Sequence, residues 1–170
     1  MACPPSARLS EAFEDETSEF AAEGTDAHAL CEWKLRKALG EDAGAKPELA
    51  YHSEEMEECS DSYVEYILET IKEVKKTCPD PIVLVEQKLD YSKYVKEGFG
   101  TGDCLIIADK RIYIVDFKYG KGISVNAEKN QQMELYSLGG IELFDCLYDI
   151  DTVVMTIYQP RLGNVSVSEI

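Results

Sequence analysis

The chain of 170 residues contains no apolar run approaching the roughly 20 residues that cross a bilayer. Its opening segment, MACPPSARLSEAFEDE, has no apolar stretch of the secretory kind. No membrane association is expected, and the cytoplasm is the expected compartment. The six cysteines, at 3, 31, 59, 78, 104 and 146, include no CxxC pair, which argues against a zinc site or a disulfide-stapled scaffold. Reduced thiols are expected, with Cys104 a core residue inside its apolar run. Internal repeats are lacking. Basic residues are scarce: 17 against 33 acidic ones, for a net charge of −16. Residues 1–80 carry 8 basic and 20 acidic side chains, a balance of −12, and residues 81–170 carry 9 and 13, a balance of −4. Such a surface repels a nucleic-acid backbone in general. Any function on nucleic acid therefore needs a local remedy: metal ions, clustered lysines or a partner domain.

What is there is ordinary globular material. Hydrophobic residues make up 45% and charged residues 29%, enough apolar content for one domain with a real core. Residues 1–23 read as a mixed acidic lead-in and 24–170 as the folded core. A helix is predicted over 24–40, capped by Thr25 or Asp26 and stopped at Gly40, with His28, Glu32, Leu35 and Leu39 on one stripe. A second is predicted over 60–77, where Val64, Ile67, Leu68, Ile71 and Val74 recur at helical spacing. The period then changes to that of strands. Val85, Gln87, Leu89 and Tyr91 alternate with polar residues. The glycine-rich GFGTG leads into two β segments, 103–108 and 111–118. A third helix is predicted over 127–139, with Asn126 as cap and Gly139-Gly140 as stop, and a last strand over 153–158, ended by Pro160. The order α, α, β, β, β, α, β predicts an α/β fold with a central mixed sheet flanked by helices.

Asp109-Lys110 makes a natural turn between two of these segments. Hairpin pairing about it sets Leu105 against Ile114, Ile107 against Ile112, Cys104 against Val115 and Ile106 against Tyr113. Both faces are apolar, as a covered central pair requires. The same register sets Asp103 opposite Asp116, with Lys118 on the same side two residues on. Two close carboxylates cannot both ionise cheaply unless a cation lies between them. Oxygen donors of this kind suit magnesium or manganese. Such an ion polarises a phosphoryl oxygen and acidifies bound water, and a neighbouring lysine can assist the attacking water. A salt bridge at a sheet end is the alternative reading of the same three residues.

Gly100-Thr101-Gly102-Asp103, an apolar strand, then Asp116-Phe117-Lys118 resembles the two-part motif of the PD-(D/E)XK nuclease superfamily. Gln132 and Tyr136 match the Q-x-x-x-Y signature of its RecB-like exonuclease branch, and EGTDAHALCE resembles that branch's glycine-then-histidine helix. The phrases AAEGTDAH, GFGTGD, VDFKYGKG, NQQMELYSLG and IYQPRLGN are similar to an uncharacterised, phage-associated exonuclease group. The resemblance implies a restriction-endonuclease-like core in a bacterial or phage-encoded protein. It further implies that Asp103, Asp116, His28 and the Phe117 carbonyl bind Mg²⁺ or Mn²⁺, and that Lys118 is the catalytic lysine. Gln132 and Tyr136 would position a phosphate or the active-site strand. Glu86 stands where some relatives carry an acid on the first core strand. Lys121 and Lys129 are candidates for phosphate-backbone contacts.

Plainer roles compete at several positions. Tyr136 could simply face the core and Gln132 the helix surface. Glu32 reads as a helix-pairing residue, and Lys121 and Lys129 could be solvated. Some relatives carry an iron–sulfur staple, with one cysteine before the nuclease core and three after it. Cys3 resembles the first. The later three are missing before the chain stops at Ile170, so a cluster is expected only in a longer form. The function expected is metal-dependent hydrolysis of phosphodiesters, as a phage-type exonuclease acting on linear DNA ends, alongside a recombination partner protein. The alternative is a non-catalytic acidic scaffold that keeps the fold.

Overall fold

The computed structural model describes residues 19–170. Cys3 and most of the expected lead-in lie outside the described residues. Helix α1 spans Glu19–Leu39, so the folded unit takes in residues 19–23, which the sequence pattern assigns to the lead-in. Helix α2, Glu54–Val74, begins six residues before the predicted start, because Ser53 caps it by accepting a hydrogen bond from the Met56 N–H at 3.1 Å. Three strands follow: β1 (Ile82–Asp90), β2 (Phe99–Ala108) and β3 (Arg111–Phe117). Helix α3 (Gln131–Tyr148) crosses to β4 (Thr152–Gln159), and a 3₁₀ turn at Pro160–Leu162 leads to β5 (Asn164–Glu169). No helix among these residues is long and apolar enough to cross a membrane.

The five strands form one sheet in chain order, antiparallel except for the β3–β4 pair. This is the expected α/β architecture: a mixed sheet between helical layers. One face packs on α1 and α2 through Leu30, Leu35, Tyr63, Ile67, Ile106 and Phe117. The other packs on α3 through Leu105, Ile107, Ile112, Ile114, Met133 and Met155. The predicted β2–β3 register is present rung for rung, from Cys104–Val115 to Ile107–Ile112.

Three expectations are corrected. The true cap of α3 is Asn130, whose side chain accepts from the Met133 N–H at 3.1 Å, not Asn126. Gly139 and Gly140 do not stop that helix. Both are buried within it, and Gly139 lets it lie against β1, where a Cβ would stand 2.9 Å from Leu89 Cβ. Strand β5 has no counterpart in the prediction. Its two valines, Val165 and Val167, are exposed, and the backbone ladder to β4 holds it rather than burial.

Candidate metal centre

The site lies where the alternation of the central strands breaks. Val85 packs on the α1–α2 face, yet Leu89, four residues on, packs on the α3 face. A regular strand would keep both on one side. Glu86 explains the switch: it adopts φ 54°, a left-handed conformation costly for a residue with a Cβ. The β1–β2 ladder runs through Val85–Cys104 and Gln87–Gly102 but omits Glu86 and Asp103. The acids at these two positions leave the sheet together.

The β2–β3 ladder also ends at Cys104–Val115. The expected Asp103–Asp116 rung does not form. Instead the Phe117 N–H donates to Asp103 Oδ2 at 2.7 Å, so a side chain takes the place of a strand carbonyl and the strands part. Asp103 then faces α1, with its Oδ1 at 3.4 Å from His28 Nδ1. Ligand atoms of His28, Glu86 and Asp103 all lie within 4.8 Å of one another. A void of about 10 Å³ adjoins them, close to the space that one small occupant needs.

Asp116 keeps to the α3 side and is 3% exposed. Its Oδ1 accepts from Gln132 Nε2 at 3.2 Å and from Lys118 Nζ at 3.3 Å. Lys118 Nζ also stands 3.0 Å from Oδ2, yet Oδ2 is buried and accepts no well-directed hydrogen bond. Gln132 links the group: its Oε1 accepts from Lys118 at 3.0 Å, and its Nε2 donates to the Tyr136 hydroxyl at 2.9 Å. Tyr136 is thus both a core residue and part of the network. Its ring lies over Gly100, where a Cβ would come within 2.5 Å of Cε1.

The electrostatics follow from burial and crowding. Desolvation, then the Asp103 charge, pushes the Asp116 carboxyl up to about 6, with Lys118 and His28 opposing. Burial and the charges of Asp103 and Glu32 raise Glu86 to about 7. Burial alone would lower His28, but its hydrogen bond to Asp103 and the surrounding acids more than reverse this and raise it. These carboxylates stay charged only at a cost that a cation would remove. The buried Asp116 oxygen, which has the Lys118 charge beside it but accepts no hydrogen bond, the mixed His/carboxylate donor set and the raised acids all fit a divalent ion with oxygen and imidazole ligands.

The sequence-predicted residues therefore converge in two groups, His28 and Asp103 in one, Asp116, Lys118, Gln132 and Tyr136 in the other. Glu86 joins the first as a full member. The signal for it was present, a lone acid inside the apolar run VLVEQKL. Glu32 pairs with Arg36 at 2.9 Å, as a helix-pairing residue should. Lys121 lies apart, paired to Glu55 at 2.9 Å, and Lys129 is exposed beside Glu128. Arg161, which sequence reasoning left without a role, holds Glu23, Glu55 and the Tyr119 carbonyl.

Fold and site together define an α/β domain with a buried acidic centre able to hold a cation. The chain belongs to the family described as "Protein of unknown function (DUF2800)", whose match covers residues 1–170. Among solved structures, one described as "Crystal structure of SSO0001" is similar over 85% of this chain and 64% of that one, at 12% identity and a TM-score of 0.29. The chain spans less than two thirds of that protein's length.

Proposed function

We propose that the domain is a PD-(D/E)XK-type phosphodiesterase of the RecB-like branch, hydrolysing DNA from linear ends in a phage or bacterial setting. The observation that carries this reading is the parted end of β2 and β3. There a buried Asp116 oxygen without a hydrogen bond lies beside Lys118, next to the His28–Glu86–Asp103 group. His28, Glu86 and Asp103, whose ligand atoms lie within 4.8 Å of one another, would hold Mg²⁺ or Mn²⁺, and Asp116 and the Phe117 carbonyl are the further ligands that the nuclease resemblance implies. Such an ion, when bound, supplies Lewis acidity toward a phosphoryl oxygen and lowers the pKa of water.

The chain's own groups do the rest. Lys118 has three N–H donors. Two are engaged by Asp116 Oδ1 and Gln132 Oε1, which fix the amine and leave the third to orient the attacking water. The positive charge of Lys118 offsets the negative charge that grows on the phosphoryl group. Gln132 fixes both Lys118 and Asp116. The Tyr136 hydroxyl accepts from Gln132, which leaves its own proton to donate to a phosphate oxygen. The Phe117 N–H keeps Asp103 from rotating back into the sheet.

The test is degradation of linear duplex and single-stranded DNA with Mg²⁺ or Mn²⁺ and without either. The expected result is metal-dependent loss of DNA that Lys118→Ala abolishes while the circular dichroism spectrum stays unchanged. Full activity in Lys118→Ala would overturn the assignment. The scaffold reading draws on one specific observation: Lys34, Lys121 and Arg161 are all neutralised by acids. Absence of Mn²⁺ binding at neutral pH would favour it.

A further inference from the structure

A second site adjoins the first, built from two sequence stretches that the chemistry above does not use. Tyr119-Gly120-Lys121-Gly122 follows Lys118 directly, and Arg161 comes from the turn after β4. They meet around a cavity of about 470 Å³, lined also by Phe20, Glu23 and Gly24. Gly24 lies one turn before His28 on α1, and the Tyr119 ring stacks on Phe117 at 6.2 Å, which in turn meets His28 at 5.3 Å. The cavity thus neighbours the metal centre along both elements.

The Arg161 side chain is only 9% exposed, a rare state for an arginine. Its guanidinium stacks on Tyr119 at 4.2 Å, and its buried Nε donates to nothing. One oxygen, Glu55 Oε2, receives both Arg161 Nη2 at 2.8 Å and Lys121 Nζ at 2.9 Å. Glu23 takes Arg161 Nη1 at 3.1 Å. An oxyanion bridging an arginine and a lysine is the way a phosphate oxygen is held. The glycines at 120 and 122 have open space where a Cβ would be, so a polymer backbone can come close. Glu55 is 44% exposed and can swing into water.

We propose that this is a phosphate subsite for the nucleic-acid strand, in which Glu55 stands in for the phosphate and yields to it. Lys121 and Arg161 are its ligands, and the apolar wall of Phe20 and Tyr119 lies against the adjoining nucleoside. The proposal rests on the nuclease reading for the identity of the strand. Its test reads binding without hydrolysis, so the two can fail separately.

Fluorescence anisotropy of a labelled single-stranded 12-mer in EDTA is the measurement, with melting temperature as the control for folding. Lys121→Ala should weaken binding several-fold and reduce the slope of log K against log salt by about 0.7, one phosphate contact on a single strand. Glu55→Gln should tighten binding, although it removes a salt-bridge partner. A latch that only braces the fold predicts the opposite: Glu55→Gln lowers the melting temperature and gains no affinity. That result, or affinities that ignore both variants, overturns the proposal. Oligonucleotides with and without a terminal phosphate separate the sources. Equal tightening for both supports a backbone phosphate, and tightening confined to the phosphorylated strand supports a terminal one. Inorganic phosphate that binds where no oligonucleotide does would overturn the strand assignment. Binding with the expected signs but no cleavage in Mg²⁺ or Mn²⁺ would keep this site and sink the nuclease reading. Cleavage with indifferent binding would do the reverse.

Discussion

Single residues carry most of the proposed chemistry, and their surroundings say what each change should cost. Gln132 makes three hydrogen bonds to groups that all need fixing. Gln132→Leu keeps its bulk but frees the amine, so kcat should fall about 10²-fold with the fold intact. Steady-state kinetics on linear DNA would check this. Gly100→Ala is a packing test of the same corner. The new methyl would meet the Tyr136 ring at 2.5 Å, so denaturant unfolding should show a loss of about 1–3 kcal/mol. The sequence announced the acids, the lysine and the Gln/Tyr pair because their spacing on strand and helix is regular. It did not announce the left-handed turn at Glu86, since only the folded crowding of two strands and a helix forces that conformation. For the same reason Asp103 and Asp116 looked like one rung, while the break in alternation sends them toward different layers.

At the scale of elements, the α1–α2 contact is pinned by a charge cluster remote from the site. Lys34, then Lys46 and His52, donate to Glu57 and pull its carboxyl down to about 2 from an ordinary 4.5. A lowered folded-state value means that stability is fully present above 4.5 and drains away as pH falls toward 2. Glu57→Gln should therefore lower the melting temperature by several degrees at pH 7 and make little difference near pH 2. Thermal melts across that range decide it. Elements with strong apolar periodicity were legible: β2 and β3 agree from the Cys104–Val115 rung to the turn, and α2 is shifted toward the N-terminus at both ends. Strand β5 was not, because its alternation turns Val165 and Val167 outward and leaves no buried face to read. The centre of α3 was misread for the opposite reason. Paired glycines usually break a helix, but here the missing side chain of Gly139 is what the contact with β1 requires.

For the whole molecule the governing quantity is the net charge of −16. A divalent cation at the proposed site would relieve part of that self-repulsion and would bind only the folded chain. At a hundredfold excess over Kd it should stabilise by about 2.7 kcal/mol, or roughly 5–11 °C in melting temperature for a chain of this size. Differential scanning fluorimetry with Mn²⁺ would read this directly. Glu86→Gln should shrink the rise, and no rise in the wild type would count against the metal centre. High salt should weaken any DNA association only gently, because the slope of log K against log salt scales with the number of phosphate contacts, and basic residues are scarce.

The centre is hung from three supports: His28 from the layer on one side of the sheet, Gln132 from the layer on the other, and the acids from the strands between. Sliding either layer by a single turn would scatter these groups while every helix and strand survived. The proposed hydrolytic activity should thus be the first property to disappear in mild urea, well before the far-ultraviolet signal fades. Inactivation would then report slippage between layers and not melting.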